Sequence, residues 1–212
     1  MTRRASGAVV PAVHQSAALL LSYPDDRWPS RLALVGESLA LLGGPGTAPL
    51  RAFCEAVRDI PVLTLAERYV TTFDRSRRRT LHLTYYTDGD TRRRGGSLAE
   101  WKRRYRAHGW TPPEDELPDH LPLALEFAAR CPDPGTRLLT DHRAALELLR
   151  MALEDFGSPY AHVVRGVCAT LPGQGPADRA AALRLARGGP AVELVGLAPF
   201  SADPADRQGA VR

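Results

Sequence analysis

In the stretch "WPSRLALVGESLALLGG" the apolar residues Leu32, Val35, Leu39 and Leu42 recur every three or four positions, and Gly43 and Gly44 end the run. That spacing lays one apolar stripe along a helix, whereas a strand would need apolar residues at every second position. The same period marks helices over 12–21, over 47–58 (Leu50, Phe53, Cys54, Val57) and over 61–74 (Leu65, Tyr69, Val70, Phe73). It returns over 119–130, over 136–155 (Leu138, His142, Ala145, Leu149, Leu153) and over 158–171. Residues 78–87, with Leu81, His82, Tyr85 and Tyr86, are read as a helix, although their composition also suits a strand. Residues 91–108 form a basic helix with Leu98, Trp101 and Tyr105 as its apolar stripe. No segment alternates strand–turn–strand. The expectation is an all-α, single-domain helical bundle.

The punctuation agrees with helices. Pro29, Pro122 and Pro159 fall in first turns, where a missing N–H costs nothing. Thr47, Asp119 and Ser158 are placed to cap the helices that follow them, and Asp90 or Thr91 the basic one. A chain of 212 residues buries roughly 70% of its unfolded surface and needs no covalent staples. We divide it into a flexible N-terminus (1–11), a helical domain (12–171) and an Ala/Gly/Pro/Arg-rich tail (172–212). In that tail 177–187 is helical and the last two dozen residues are disordered.

Charge is unevenly spread. From Arg75 to Arg106 eleven basic residues face three acidic ones, which leaves +8 there and −4 over the rest of a chain whose net charge is +4. A local cationic strip suits an acidic or phosphate-bearing partner. Trp101, Tyr105 and Trp110 interleave with these cations, as in single-strand binders, so a nucleotide- or nucleic-acid-binding regulator using segment 75–106 is the alternative reading. Against it, Leu98, Trp101 and Tyr105 sit at core-stripe spacing.

Catalytic and metal motifs do not emerge. Asp88-Gly89-Asp90 lacks the carboxylate twelve positions on that a calcium loop needs, because Ala99 and Trp101 occupy those places, so it reads as a turn. The glycine clusters at 43–46 and 173–175 lack the Lys-Ser/Thr of a phosphate loop. Asp119 and His120 are neighbours whose side chains diverge by about 100° on a helix, so they make no dyad. Cys54, Cys131 and Cys168 are scattered, as expected of reduced, buried thiols in a cytoplasmic protein. Arg3 and Arg4 begin like a twin-arginine export signal, but Pro11, His14 and Gln15 interrupt the apolar run that should follow.

Two strings remain, "LTYYTDGDTRRRG" and "ELPDHLP". In the second, Glu116 and His120 have no packing reason at a helix entrance, and a structural and a recognition role both fit them. With "YVTTFD", these strings resemble the NarJ-type (delta subunit) assembly chaperones of respiratory nitrate reductase, a branch of the TorD-like all-helical chaperones. The resemblance spans about 12–171 and is densest from Tyr69 to Ala129. Glu116, Pro118, Asp119 and His120 carry its acid-then-Pro-Asp-His pattern, and Tyr69 and Phe73 its Tyr-x-x-x-Phe helix pattern.

The resemblance implies a non-enzymatic cytoplasmic chaperone, monomeric or homodimeric. Such a protein binds the N-terminal segment of the nitrate reductase catalytic (alpha) subunit, a remnant of a twin-arginine signal. It holds the apo-subunit ready for insertion of molybdenum bis-guanine dinucleotide, meets cofactor-delivery proteins, delays membrane docking and retains no cofactor itself. On this reading Tyr69, Phe73, Leu83, Tyr85 and Tyr86 wall an apolar groove for an amphipathic helix. Asp88, Asp90, Arg92, Arg93, Glu116, Pro118, Asp119 and His120 then set the direction of the bound segment, with Asp88 and Glu116–Asp119 meeting its basic residues.

Overall fold

The structure, a computed structural model, describes the backbone of residues 2–188 and the side chains of residues 8–187. Its helices are α1 (Thr2–Leu21), α2 (Trp28–Ala40), α3 (Thr47–Val57), α4 (Val62–Phe73), α5 (Thr84–Asp88) and α6 (Arg93–Ala107). They continue as α7 (Leu121–Arg130), α8 (Pro132–Asp141), α9 (Arg143–Asp155), α10 (Tyr160–Thr170) and α11 (Arg179–Gly188), with one turn of 3-10 helix at Arg77–Arg79. Among the described residues no strand occurs, and the only sheet-like pairing is an antiparallel bridge between His82 and His120.

α1 is the axis of the bundle, packed along α7 and α10 with α2 and α3 at its flank. Val13, Ala17, Leu20 and Leu21 are fully buried on it, and the small Ala17 and Ala18 let neighbouring backbones come close. Beside it the rings of Phe53, Tyr69, Phe73 and Tyr160 form one aromatic knot, with centroid separations of 4.7 to 5.8 Å. A second knot joins Tyr105 to Trp110 and Phe127, each at 4.7 Å. Trp101 and Tyr105 are thus buried as a core stripe, and neither ring is a platform for bases.

Two close approaches depend on glycine. Gly46 has φ +85°, and a Cβ there would stand 2.5 Å from the Gly166 carbonyl oxygen of α10. α8 crosses α7 at Gly135, where a Cβ would land on the Ala128 backbone.

Several boundaries differ from the sequence reading. α1 begins at Thr2, not at residue 12, and so runs through the segment read as flexible. Pro11 lies inside it, and Val9 still packs on the core. The 78–87 helix is in fact a 3-10 turn, a bridged His82 and a short α5 whose N-cap, Leu83, already has helical φ/ψ (−66°, −36°). Backbone bonds from Leu83 N–H to the Asp119 carbonyl (3.0 Å) and from Leu121 N–H to the Leu81 carbonyl (2.8 Å) close the bridge between His82 and His120.

The single helix read over 136–155 is broken at His142 (φ −105°, ψ 18°) into α8 and α9. There Nδ1–H donates to the Leu138 carbonyl (2.9 Å), and Nε2 accepts the Trp101 indole N–H (3.2 Å). The expected caps also fail. Gly46, His120 and Pro159 are the N-caps of α3, α7 and α10, and none makes a side-chain bond. Thr47 and Thr91 donate back to the Gly44 and Asp88 carbonyls instead. The 177–187 helix is present as α11, whereas the expected disorder of the last two dozen residues lies outside the described residues.

Candidate functional site

The bridge between residues 82 and 120 builds the site, because it sets the Pro118-Asp119-His120 turn against the start of α5. Pro118 is buried, and its carbonyl accepts the Tyr105 hydroxyl at 2.7 Å. Asp119 is fully buried and points back across the bridge. Its Oδ2 accepts the Thr84 hydroxyl (2.6 Å) and backbone N–H (3.1 Å) with Arg94 at 3.5 Å, and its Oδ1 meets His82 Nδ1 at 3.2 Å. Burial alone would push this carboxyl up. The hydrogen bonds of His82 and Thr84 and the His82 and Arg94 charges outweigh it and hold the group below the usual carboxylate range. A buried carboxylate with all these partners clamps its neighbours, and it has no capacity left for a ligand.

From this clamp a polar line runs to the surface. The His82 ring lies 5.2 Å from that of His120, and His120 Nδ1 is 3.2 Å from Glu116 Oε2. Burial, with the His82 charge as a lesser cause, pulls the His120 imidazole below its ordinary pKa despite the opposing Glu116 and Asp119 charges.

His120 and Glu116 open onto a groove of about 650 Å³ between α1, α4, α7 and the loop before the turn. Its apolar floor comprises Leu19, Tyr23, Tyr69, Leu123, Pro113 and Pro122, and its edge carries Asp115, Glu116 and Glu126. Among the described residues no Arg or Lys lines it. Tyr69 presents only part of its ring, since its hydroxyl donates to the Leu21 carbonyl (2.9 Å) and Tyr23 packs on it edge-on at 5.5 Å. Such a trough accepts an amphipathic segment whose polar side is basic.

Of the residues singled out from the sequence, Tyr69, Glu116 and His120 meet at this groove. Phe73 and Leu83 belong to the core. Asp119 is enclosed by Thr84, His82 and Arg94, which corrects the expectation that it meets a ligand's cations. Tyr85 and Tyr86 line a different groove with Arg77 and Arg78. Asp88 is half-buried, Asp90 is exposed 4.0 Å from Arg77, and Arg92 and Arg93 are exposed where α6 begins.

Tyr23, Leu19, Asp115 and Glu126 were missed. The only sequence trace of them is the i, i+4 pair Leu19/Tyr23 at the end of an apolar run, and the acids come from separate elements. Among the described residues no His, Cys, Asp or Glu cluster suits a metal, and no helix is long and apolar enough to cross a membrane.

Comparison with known proteins gives these features a context. NarX of Mycobacterium tuberculosis, a nitrate reductase-like protein, is 43% identical over 78% of this chain, which spans only 25% of that protein's length. The Bacillus subtilis protein named probable nitrate reductase molybdenum cofactor assembly chaperone NarJ is 34% identical over 72% of this chain and 84% of its own. Its Escherichia coli counterpart NarJ is 32% identical over 67% of this chain and 62% of its own. A redox enzyme maturation protein from Archaeoglobus fulgidus superposes with a TM-score of 0.57 at 21% identity, covering 74% of this chain and 90% of that one, so the two share an all-helical fold. The family model for the nitrate reductase delta subunit matches residues 43–165, from the start of α3 into α10 and across the whole Pro-Asp-His turn, and this chain therefore belongs to the nitrate reductase delta subunit family.

Proposed function

We propose that the groove beside His120 receives the N-terminal segment of a nitrate reductase catalytic subunit. In the cytoplasm the chain then holds that apo-subunit ready for molybdenum cofactor insertion and complex assembly, catalysing nothing and retaining no cofactor. The names of the NarJ relatives support the chaperone role. The observation that carries the client reading is the acid-edged, apolar-floored groove free of cations, in a chain whose net charge is +4.

The energetics suit a client that must be released. Burying on the order of 400 Å² of apolar surface yields about 10 kcal/mol gross. Ordering the segment offsets about 2–5 kcal/mol. What is left corresponds to a Kd between about 1 μM and 0.1 mM.

The test is calorimetric titration of a synthetic catalytic-subunit N-terminal peptide into the wild type, Glu116→Lys and Arg92→Glu. Binding should weaken for Glu116→Lys and persist for Arg92→Glu. Absence of heat with the wild type, or equal affinity in all three, removes the groove as the client site. Recovery of the catalytic subunit on this chain from cells with and without cofactor synthesis then tests the apo-selective part, for which the apo-form should dominate.

A further inference from the structure

Tyr85 and Tyr86 open onto a second groove, of about 470 Å³, which shares no residue with the first. It lies between the 3-10 turn, α5, α9 and α11. Its floor is Tyr85, Tyr86, Leu148 and Leu183, its rim is Arg77, Arg78 and Arg179, and among the described residues no acid lines it. The Tyr86 hydroxyl donates to the backbone carbonyls of Thr80 (3.0 Å) and Arg78 (3.2 Å). The ring is thereby fixed, and it presents carbon surface instead of a free hydroxyl. Arg179 is held by Asp155 at 2.5 Å and Arg77 stands 4.0 Å from Asp90, whereas Arg78 makes no ion pair among the described residues.

We propose that this groove docks an acidic amphipathic segment of a partner protein, apolar side on Tyr85, Tyr86 and Leu183, carboxylates toward Arg77, Arg78 and Arg179. Charge complementarity commits it to an acidic occupant, opposite in sign to the one that fits the groove beside His120. The floor favours a protein over a nucleic acid, because half of it is aliphatic. The cationic strip is also discontinuous: Arg94 turns in to Asp119, Arg104 to Asp141, and Arg79 lies over the Phe156 ring at 3.7 Å. A phosphate backbone needs an unbroken track of cations. One wall of the groove, α11, lies outside the residues that match the family model, whereas the 3-10 turn, α5 and α9 lie within them.

The test uses the full chain and two labelled synthetic peptides, read by fluorescence anisotropy. One has leucines at i, i+3, i+4 and i+7 with glutamates between, and the other carries lysines in place of the glutamates. The acidic probe should bind. The exposed-residue variant Arg77→Glu/Arg78→Glu should weaken it about tenfold or more, since each reversed charge turns attraction into repulsion. Leu183→Asp should weaken it too, and the thermal midpoint of the charge-reversal variant and its affinity for the basic probe should not change. Because the basic probe reports the first groove, failure there leaves this inference standing, and the reverse holds as well.

Four results would overturn the proposal. They are a scrambled acidic peptide binding equally, charge reversal without effect, displacement by a single-stranded oligonucleotide or inorganic phosphate, and displacement by a peptide of residues 189–212. The last would assign the groove to the chain's own continuation.

Discussion

The Thr84 hydroxyl reaches the Asp119 carboxylate at 2.6 Å across 35 positions of sequence, and this bond fastens the start of α5 to the turn before α7. The Asp119 carboxylate itself is fully buried and turned to Thr84, His82 and Arg94, away from solvent. The residue most prominent in the Pro-Asp-His string is therefore an internal fastening, and its neighbours His120 and Glu116 are what the surface displays.

Removing that carboxylate strands a guanidinium and a buried N–H. Asp119→Ala should lower stability by about 3–5 kcal/mol, the range for a buried charge pair that loses one partner. Thr84→Val should cost about 1.5–3 kcal/mol, one hydrogen bond to a charged group. Urea denaturation of both variants measures this. A midpoint unchanged in Asp119→Ala would mean that the clamp does not hold the fold.

His14 sets an acid limit on stability. It is fully buried, and Thr170 gives its own hydroxyl proton to the Val167 carbonyl, so the imidazole Nε2–H is the donor in the 2.8 Å bond to Thr170. Burial lowers the His14 pKa to about 4, and the lesser Ala128 carbonyl contact works against that. His142 is also lowered, by burial first. The unfolded chain then takes up protons near 6.5 while the folded one does not, so for His14 stability falls as pH drops from about 6.5 toward 4, by at most about 1.4 kcal/mol per pH unit, and His142 adds to the loss in the same direction. Urea midpoints at pH 7.5, 6 and 5 should decrease in that order, with a shallower decline in His14→Leu.

Gly135 and Gly36 make a matched pair of substitutions. A Cβ at Gly135 meets the Ala128 backbone, and Gly135→Ala should force α8 off α7 at a cost of about 1–3 kcal/mol. Gly36 lies inside α2 with open space around it, so Gly36→Ala should stabilise by about 0.5–1 kcal/mol. Thermal melts showing the same sign for both would contradict the close α7–α8 crossing.

At the first groove, Glu126→Lys should weaken a basic peptide without moving the melting temperature, since Glu126 is partly exposed and its only ion pair among the described residues is to Arg130 at 2.6 Å. The apolar floor should keep the salt dependence of binding shallow. A steep log-linear loss of affinity with salt would instead indicate binding dominated by charge.

What the sequence disclosed follows from how local each feature is. The apolar stripes, Trp101 and Tyr105 included, are written at a spacing of three to four, and every major helix could be read from them. The break at His142 could not, because no Gly or Pro interrupts 136–155 and the Trp101 indole that fixes the histidine comes from α6, 41 positions away. Likewise Asp119 looked like a cap because capping is local, whereas its partners Thr84, His82 and Arg94 come from another part of the chain. The Pro-Asp-His string pointed to the corner where the first groove lies. It did not reveal the floor beneath it, which Leu19 of α1 and Tyr23 just past its end supply.

An anionic trough on a cationic body has a kinetic corollary. At long range any basic segment would meet a molecule of like sign, and it would feel attraction only within a screening distance of about 8 Å from Asp115, Glu116 and Glu126. Encounter is thus unsteered, and added salt should quicken arrival even as it shortens residence. Such a surface favours molecules already delivered close by over those wandering in from bulk.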